Sequence, residues 1–112
     1  MSEDHKPLVD EIRDVLNARK TPGFDDLAPL AKARLLAPEI AEATCVAMQG
    51  LDPAKQQEMV PQYVEAAEVL FDEQFVPIDL PGVGPVAEVA LEGFLRRMIG
   101  PAVQAAMKRL AA

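Results

Sequence analysis

Apolar residues recur every three or four positions along most of this chain, a spacing that predicts amphipathic α-helices. Residues 7–19 carry one apolar stripe among charged positions, as expected for a surface helix. Residues 38–49 are apolar or small around most of the helix circumference, so we expect the most buried helix there. The most regular period extends from Val60 to Phe75. These patterns predict an all-α fold.

Prolines divide the helical patterns. Proline lacks an N–H and disfavours the α conformation in the residue before it, so we expect a break or a kink at Pro38. At Pro61 the sequence leaves two possibilities open, because residues 53–75 form either one kinked helix or two helices. Asp52 followed by Pro53 is typical of an N-cap and a first helical residue.

The C-terminal third contains two apolar stripes that do not line up. In residues 85–99, one half carries Val86, Ala90, Leu91, Phe94, Leu95 and Met98, and the other half carries Glu88, Glu92 and Arg96. Past Gly100 the stripe continues with Val103, Ala106, Met107 and Leu110, but its centre rotates by about 150°. Either the helix breaks at Gly100, or the last segment packs on something else, such as a second copy of the chain. Residues 85–110 are therefore one kinked helix or two.

The segment between these helical regions is an apolar loop, residues 76–85. It is too rich in proline and glycine for a helix or a strand, yet Ile78, Leu80 and Val83 are apolar. Surface loops are normally polar because their backbone groups need water or a partner. We expect this loop to be packed against the core or to be offered to another molecule.

The composition is that of one globular domain. With 112 residues, half of them apolar and 26% charged, the chain is near the most common domain size. We predict a single helical domain over residues 1–112, built as an irregular bundle of five to seven short, proline-delimited helices, with residues 1–6 as a disordered tail. Cys45 is the only cysteine, which excludes an intrachain disulfide and favours a reducing, cytoplasmic location. Charges interrupt every apolar run, so no membrane span is expected.

The net charge of −7 is unevenly distributed. Residues 41–80 contain one basic residue, Lys55, against eight acidic ones, whereas residues 81–112 are slightly basic. A negative middle repels nucleic acid and anionic lipid. This acidic face keeps the protein in solution, or it competes as a mimic for a basic partner surface.

One short motif resembles a known family. The string from Leu80 to Pro85 places a Gly-x-Gly turn before a helix, and it resembles the hairpin of the helix-hairpin-helix family. That resemblance implies binding of DNA phosphates through backbone amides at a helix N-terminus. The positions after the turn, Val86 and Ala87, are neither polar nor basic, and no Lys or Arg occurs between the turn and Arg96. These departures disfavour nucleic acid as a partner.

The sequence contains no recognisable catalytic or metal site. Acidic pairs at helical spacing could hold metal ions in a four-helix bundle, but such sites need Glu-x-x-His, and the only histidine is His5. Cys45 lies in an apolar helix without a histidine near it, which is typical of an inert buried thiol. We expect no enzymatic activity and no cofactor, and the sequence identifies no small-molecule substrate.

These exclusions lead to a functional prediction: a small protein–protein interaction domain, accessory or adaptor in type, that self-associates. We expect the contact to use the 76–85 loop and the C-terminal helix. The predicted partner-binding residues are Ile78, Leu80, Val83, Ile99, Val103, Met107 and Leu110. The alternative is a nucleic-acid-binding module that uses the turn at residues 80–85.

Overall fold

The computed structural model describes residues 6–20, 22–78, 80 and 82–111, and this part of the chain is entirely helix, turn and loop. The all-α prediction is confirmed. The helices are α1 (Lys6–Arg19), α2 (Pro29–Met48), α3 (Pro53–Phe75), α4 (Pro85–Arg97) and α5 (Ile99–Ala111), with one 3₁₀ turn at Phe24–Asp26. Residues 1–5 of the predicted tail, which include His5, lie outside the described residues. Lys6 is the first residue of α1.

Helix starts follow the local sequence signals. Pro29, Pro53 and Pro85 each occupy the first turn of a helix, where a missing N–H is no loss. The predicted N-cap at Asp52 is confirmed, since its carboxylate accepts a hydrogen bond from the Lys55 backbone N–H at 2.9 Å. Such a cap stabilises a helix by about 1 kcal/mol.

Helix α2 does not break at Pro38, so of the break or kink predicted there the break is wrong and the kink stays a prediction. Helix α2 continues through Pro38 for 20 residues, and α3 continues through Pro61 for 23 residues, so these two helices are neither short nor delimited by their internal prolines. Both prolines are exposed. Tertiary packing on the opposite side of each helix outweighs the lost backbone hydrogen bond, which is why the local signal does not decide the structure.

Helix α2 is the centre of the fold. It packs against α1, α3 and α5, and its buried residues extend from Ala33 to Met48. Alanines at 33, 37, 41 and 43 let the neighbouring helices approach closely. The buried hydroxyl of Thr44 donates to the Ile40 carbonyl at 2.7 Å, so this polar group does not weaken the core.

Helices α1 and α3 are joined by polar contacts at their boundary. The Arg13 guanidinium donates to both carboxylate oxygens of Glu73 at 2.6 to 3.0 Å, a bidentate pair. Tyr63 is buried, and its hydroxyl donates to the Glu11 carboxylate at 3.0 Å. Burial and this hydrogen bond raise the pKa of Tyr63 to about 12.

The middle of the apolar loop packs on the core, whereas Val76 at its start is 74% exposed. Leu80 is buried, and Ile78 and Val83 pack half-buried against the core cluster. The Val83 N–H donates to the Leu80 carbonyl at 3.2 Å, and Gly82 adopts a positive φ of 79° that favours glycine. Asp79 and Pro81 lie outside the described residues.

The C-terminal third consists of two helices, and the junction is at Met98 rather than at Gly100. Gly100 lies within α5, where a Cβ would be 3.7 Å from Val64. The turn at Met98 reorients the chain so that Ile99 and Val103 enter the core. Among the described helices, none combines the length and the apolar character needed to cross a membrane.

We expect the replacement Pro38→Ala to raise the free energy of unfolding by about 1–2 kcal/mol. A proline inside a helix costs about 3 kcal/mol, and the restriction that it places on the unfolded chain offsets only about 1 kcal/mol of that cost. Urea unfolding followed by far-UV circular dichroism measures the difference. The control is Pro29→Ala at the start of α2, which we expect to change stability by less than about 1 kcal/mol. A loss of stability in Pro38→Ala would show instead that the packing of α2 requires this proline.

Candidate functional site

The most exposed apolar surface of a described helix lies on α4. Val86 is 85% exposed, Val89 69% and Phe94 61%, and Met98, just beyond the helix, is 47% exposed. By helical spacing these side chains lie on one half of the helix, with Ala90 and Gly93 between them. We call Val86, Val89, Ala90, Gly93, Phe94 and Met98 the outward face of α4. Single exposed apolar residues are normal, but a contiguous apolar face marks a contact surface.

The orientation of α4 is not that of an ordinary amphipathic surface helix. Such a helix turns its apolar half toward the core, whereas Leu95 is the only core residue of α4 and Leu91 is half-buried. On the polar half, Glu88, Glu92 and Arg96 are half-buried. Since α1, α3 and α5 already surround α2, a small part of the α4 surface is enough to hold it in place, and the larger apolar part faces outward.

Polar groups hold α4 against α3. The Arg96 guanidinium donates to the Asp72 carboxylate at 3.0 Å, and the side chains of both residues are about two-fifths exposed. A hydrogen bond to Asp72 raises the pKa of Glu92, an effect to which burial adds and which the positive charge of Arg96 partly offsets. Burial also raises the pKa of Glu68. The acidic face of α3, predicted to be solvated, is thus partly covered by α4.

The residues predicted to contact a partner fall into two groups. Leu80, Ile99 and Val103 are buried in the core of their own chain, so they offer no surface to a partner while the chain keeps this fold. Ile78, Val83 and Met107 are half-buried, and Leu110 is 45% exposed. For these four residues, contact with a partner stays a prediction. The apolar stripe changes direction near Gly100 because the chain turns at Met98. The apolar residues Ile99, Val103 and Ala106 of α5 are buried within their own chain.

The turn before α4 has part of the shape that its family resemblance implies. Gly84 is the N-cap residue of α4, and Pro85 supplies no N–H. Val86 and Ala87 are exposed at the helix start, and Glu88 adds negative charge to the first turn. Residues 76–95 contain no Lys or Arg, and basic side chains supply most of the affinity for phosphate.

Burial holds the thiol of Cys45 in its neutral form. Cys45 is buried, its thiol donates to the Val103 carbonyl at 3.3 Å, and burial raises its pKa to about 11. A thiol in this state is a poor nucleophile near neutral pH. Within residues 6–20, 22–78, 80 and 82–111, no cluster of three potential metal ligands occurs.

Sequence reasoning missed the outward face, although a signal for it was present. The apolar and small residues of α4 span about 240° of the helix, from Val89 to Leu95, and Arg97 at the C-terminal end is the one charged residue within this arc. A surface helix needs an apolar stripe of little more than 100° to pack on one core. The excess width indicates a second apolar surface that the chain does not cover by itself.

We expect Glu92→Gln to stabilise the fold near pH 7 and to have little effect near pH 4. Because the folded pKa of Glu92 is raised, the folded state binds its proton more readily than the unfolded chain does. This contribution to stability is present below the ordinary pKa of a glutamate and is lost as the pH rises through the folded value. Glutamine keeps a donor for Asp72 without ionising.

Urea unfolding at both pH values measures this effect, and Glu88→Gln controls for the loss of one negative charge from the same helix. Equal effects of the two variants at pH 7 would contradict a specific interaction between Glu92 and Asp72.

Comparison of this chain with protein-family models, with curated proteins and with solved structures found no match. The chemistry of its own surface is therefore what indicates a function.

Proposed function

We propose that this chain is a non-enzymatic protein–protein interaction domain that self-associates, with the outward face of α4 as the contact. The observation that carries the proposal is the exposure of Val86, Val89 and Phe94, each more than half exposed, on one side of a single helix. Burial of such side chains is the main favourable term in protein association.

The size of the outward face suits a modest interface. Its side chains expose on the order of 400 Å² of apolar surface per copy, which is within the range of the functional patches that proteins carry. Since apolar atoms make up roughly 57% of a typical interface, this area corresponds to about 700 Å² in total per copy. A standard interface takes about 800 Å² from each partner. The area is therefore close to what a dimer interface requires.

The sequence of α4 favours a second copy as the partner. A two-fold interface must be complementary to itself. In an antiparallel crossing centred between Ala90 and Gly93, these small residues let the two helices approach, and Val89 of one copy meets Phe94 of the other. Helical spacing places one charged residue, Arg97, on this half of α4, and it lies at the C-terminal end. Charge at the edge and its depletion at the centre are typical of interfaces.

The sequence predicts the 76–85 loop and α5 as contacts, and in this proposal they are a smaller part of the interface. The half-buried loop residues and Leu110 are available to extend an interface, whereas α4 supplies its apolar centre. Variants in α4 and α5 separate the two assignments.

We expect Phe94→Glu to convert self-associated protein to monomer, because a carboxylate at the centre of the contact would have to be buried unpaired. Light scattering coupled to size-exclusion chromatography, over a series of protein concentrations, measures the mass. The matched control is Leu30→Glu, which places the same charge at an exposed leucine on α2 and should keep the wild-type mass. A strictly monomeric wild-type protein at high concentration would refute self-association, and loss of association in Met107→Glu alone would assign the contact to α5.

An introduced cysteine tests the geometry of the contact. In this crossing Ala90 meets Gly93 of the other copy and lies within one helical turn of its own counterpart, so Ala90→Cys should form a disulfide-linked dimer under mild oxidation. Cys45 is buried and does not compete for oxidation. Ala54→Cys, at an exposed position on α3, is the control and should remain monomeric on a non-reducing gel. Equal cross-linking of both variants would indicate random collision rather than a specific interface.

A further inference from the structure

A cleft of about 470 Å³ opens between the C-terminal half of α2, the first turn of α3 and α5. On α5 the cleft is lined by residues from Gln104 to Leu110, away from the junction with α4 at Met98. None of the residues of the outward face lines the cleft. Its volume falls within the range of roughly 300–1,000 Å³ that is typical of small-molecule sites. The lining residues are Cys45, Met48, Gln49, Pro53, Gln56, Gln57, Gln104, Met107, Lys108 and Leu110.

The inner wall of the cleft is apolar and adaptable. Met48 and Cys45 are buried at its base, and Met107 and Leu110 supply the wall from α5. Methionine side chains adjust to ligands of different shape because their thioether chains are flexible and polarisable. This wall fits an alkyl chain better than a rigid polar ligand.

The rim carries amide groups that the fold leaves available. The Gln56 amide donates to the Met48 and Leu51 carbonyls at 3.1 and 3.0 Å, so it closes the end of α2 and belongs to the fold. Within the described part of the chain, Gln49, Gln57 and Gln104 make no side-chain hydrogen bond to protein. Their amides can solvate the polar end of a bound molecule.

The charged group that lines the cleft is basic. Lys108 is the only charged residue among those that line the cleft, and it forms no ion pair with the described residues. Glu42, a carboxylate on α2, is held by Arg19 at 2.6 Å and by Arg109 at 3.0 Å. An anion at Lys108 therefore gains a partner without displacing an existing pair.

We propose that this cleft binds an elongated apolar monocarboxylate, namely an alkyl acid. The alkyl chain lies along Met107 and Leu110, above the buried Met48, and the carboxylate lies at Lys108 among the rim amides. This site shares no residue with the outward face of α4. Ligand binding at the cleft and self-association can therefore be tested separately.

The test uses the full chain and three ten-carbon probes: decanoate, decanol and decylammonium. Isothermal titration calorimetry below the micelle concentration of each probe should show decanoate binding most tightly. We expect Lys108→Met to weaken decanoate binding about fivefold, as befits an ion pair open to solvent, and to leave decanol binding unchanged. Lys55→Met removes the same charge from an exposed position that does not line the cleft, and it should keep wild-type affinity.

A blocking variant tests the location. Gln104→Trp fills the cleft from an exposed position on α5 and should abolish binding of decanoate and decanol alike, with circular dichroism verifying that the fold is intact. Equal affinity for decanoate and decylammonium would overturn the assignment of the charge. Unchanged binding in Gln104→Trp, or loss of binding in Phe94→Glu, would place the ligand elsewhere and refute the site.

Discussion

The constraint on which this fold depends is the burial of α2. Its residues are apolar or small around most of the circumference, so the helix is stable only when it is surrounded. Three helices, α1, α3 and α5, provide that cover. The alanines of α2 bring these neighbours close, and the C-terminal end of the chain must turn at Met98 so that α5 can reach its place.

The position of α4 follows from that arrangement. One residue of this helix, Leu95, is buried in the core. The hydrogen bond from Arg96 to Asp72 joins α4 to α3. Carboxylates of α3 and α4 lie close together where the two helices pack. This makes the contact between α3 and α4 weaker than an apolar contact would be. An apolar partner on the opposite side would stabilise α4 by burying the outward face.

Local sequence signals predicted where helices start better than where they continue. Asp52 and Pro53 predicted the start of α3, because capping depends on three or four neighbouring residues. Continuity through Pro38 and Pro61 was not predictable, because it depends on contacts with helices distant in sequence. The orientation of α4 was not predictable from its period alone, since the space left by α1, α3 and α5 decides which of its apolar residues are buried.

Burial of Leu80 agrees with the expectation that an apolar loop packs against the core or a partner. The cleft between α2, α3 and α5 had no sequence signal, since residues from three separate segments form it.

The buried hydroxyl of Tyr63 has a consequence for how this protein can be observed. The chain contains one tyrosine and no tryptophan, so a single ring dominates its near-ultraviolet absorption and emission. That ring lies at the boundary between α1 and α3, with its hydroxyl bonded to Glu11. Separation of these two helices would expose the phenol to water and change its spectrum. The native protein thus carries an intrinsic optical reporter of its α1–α3 packing, without any added dye or label.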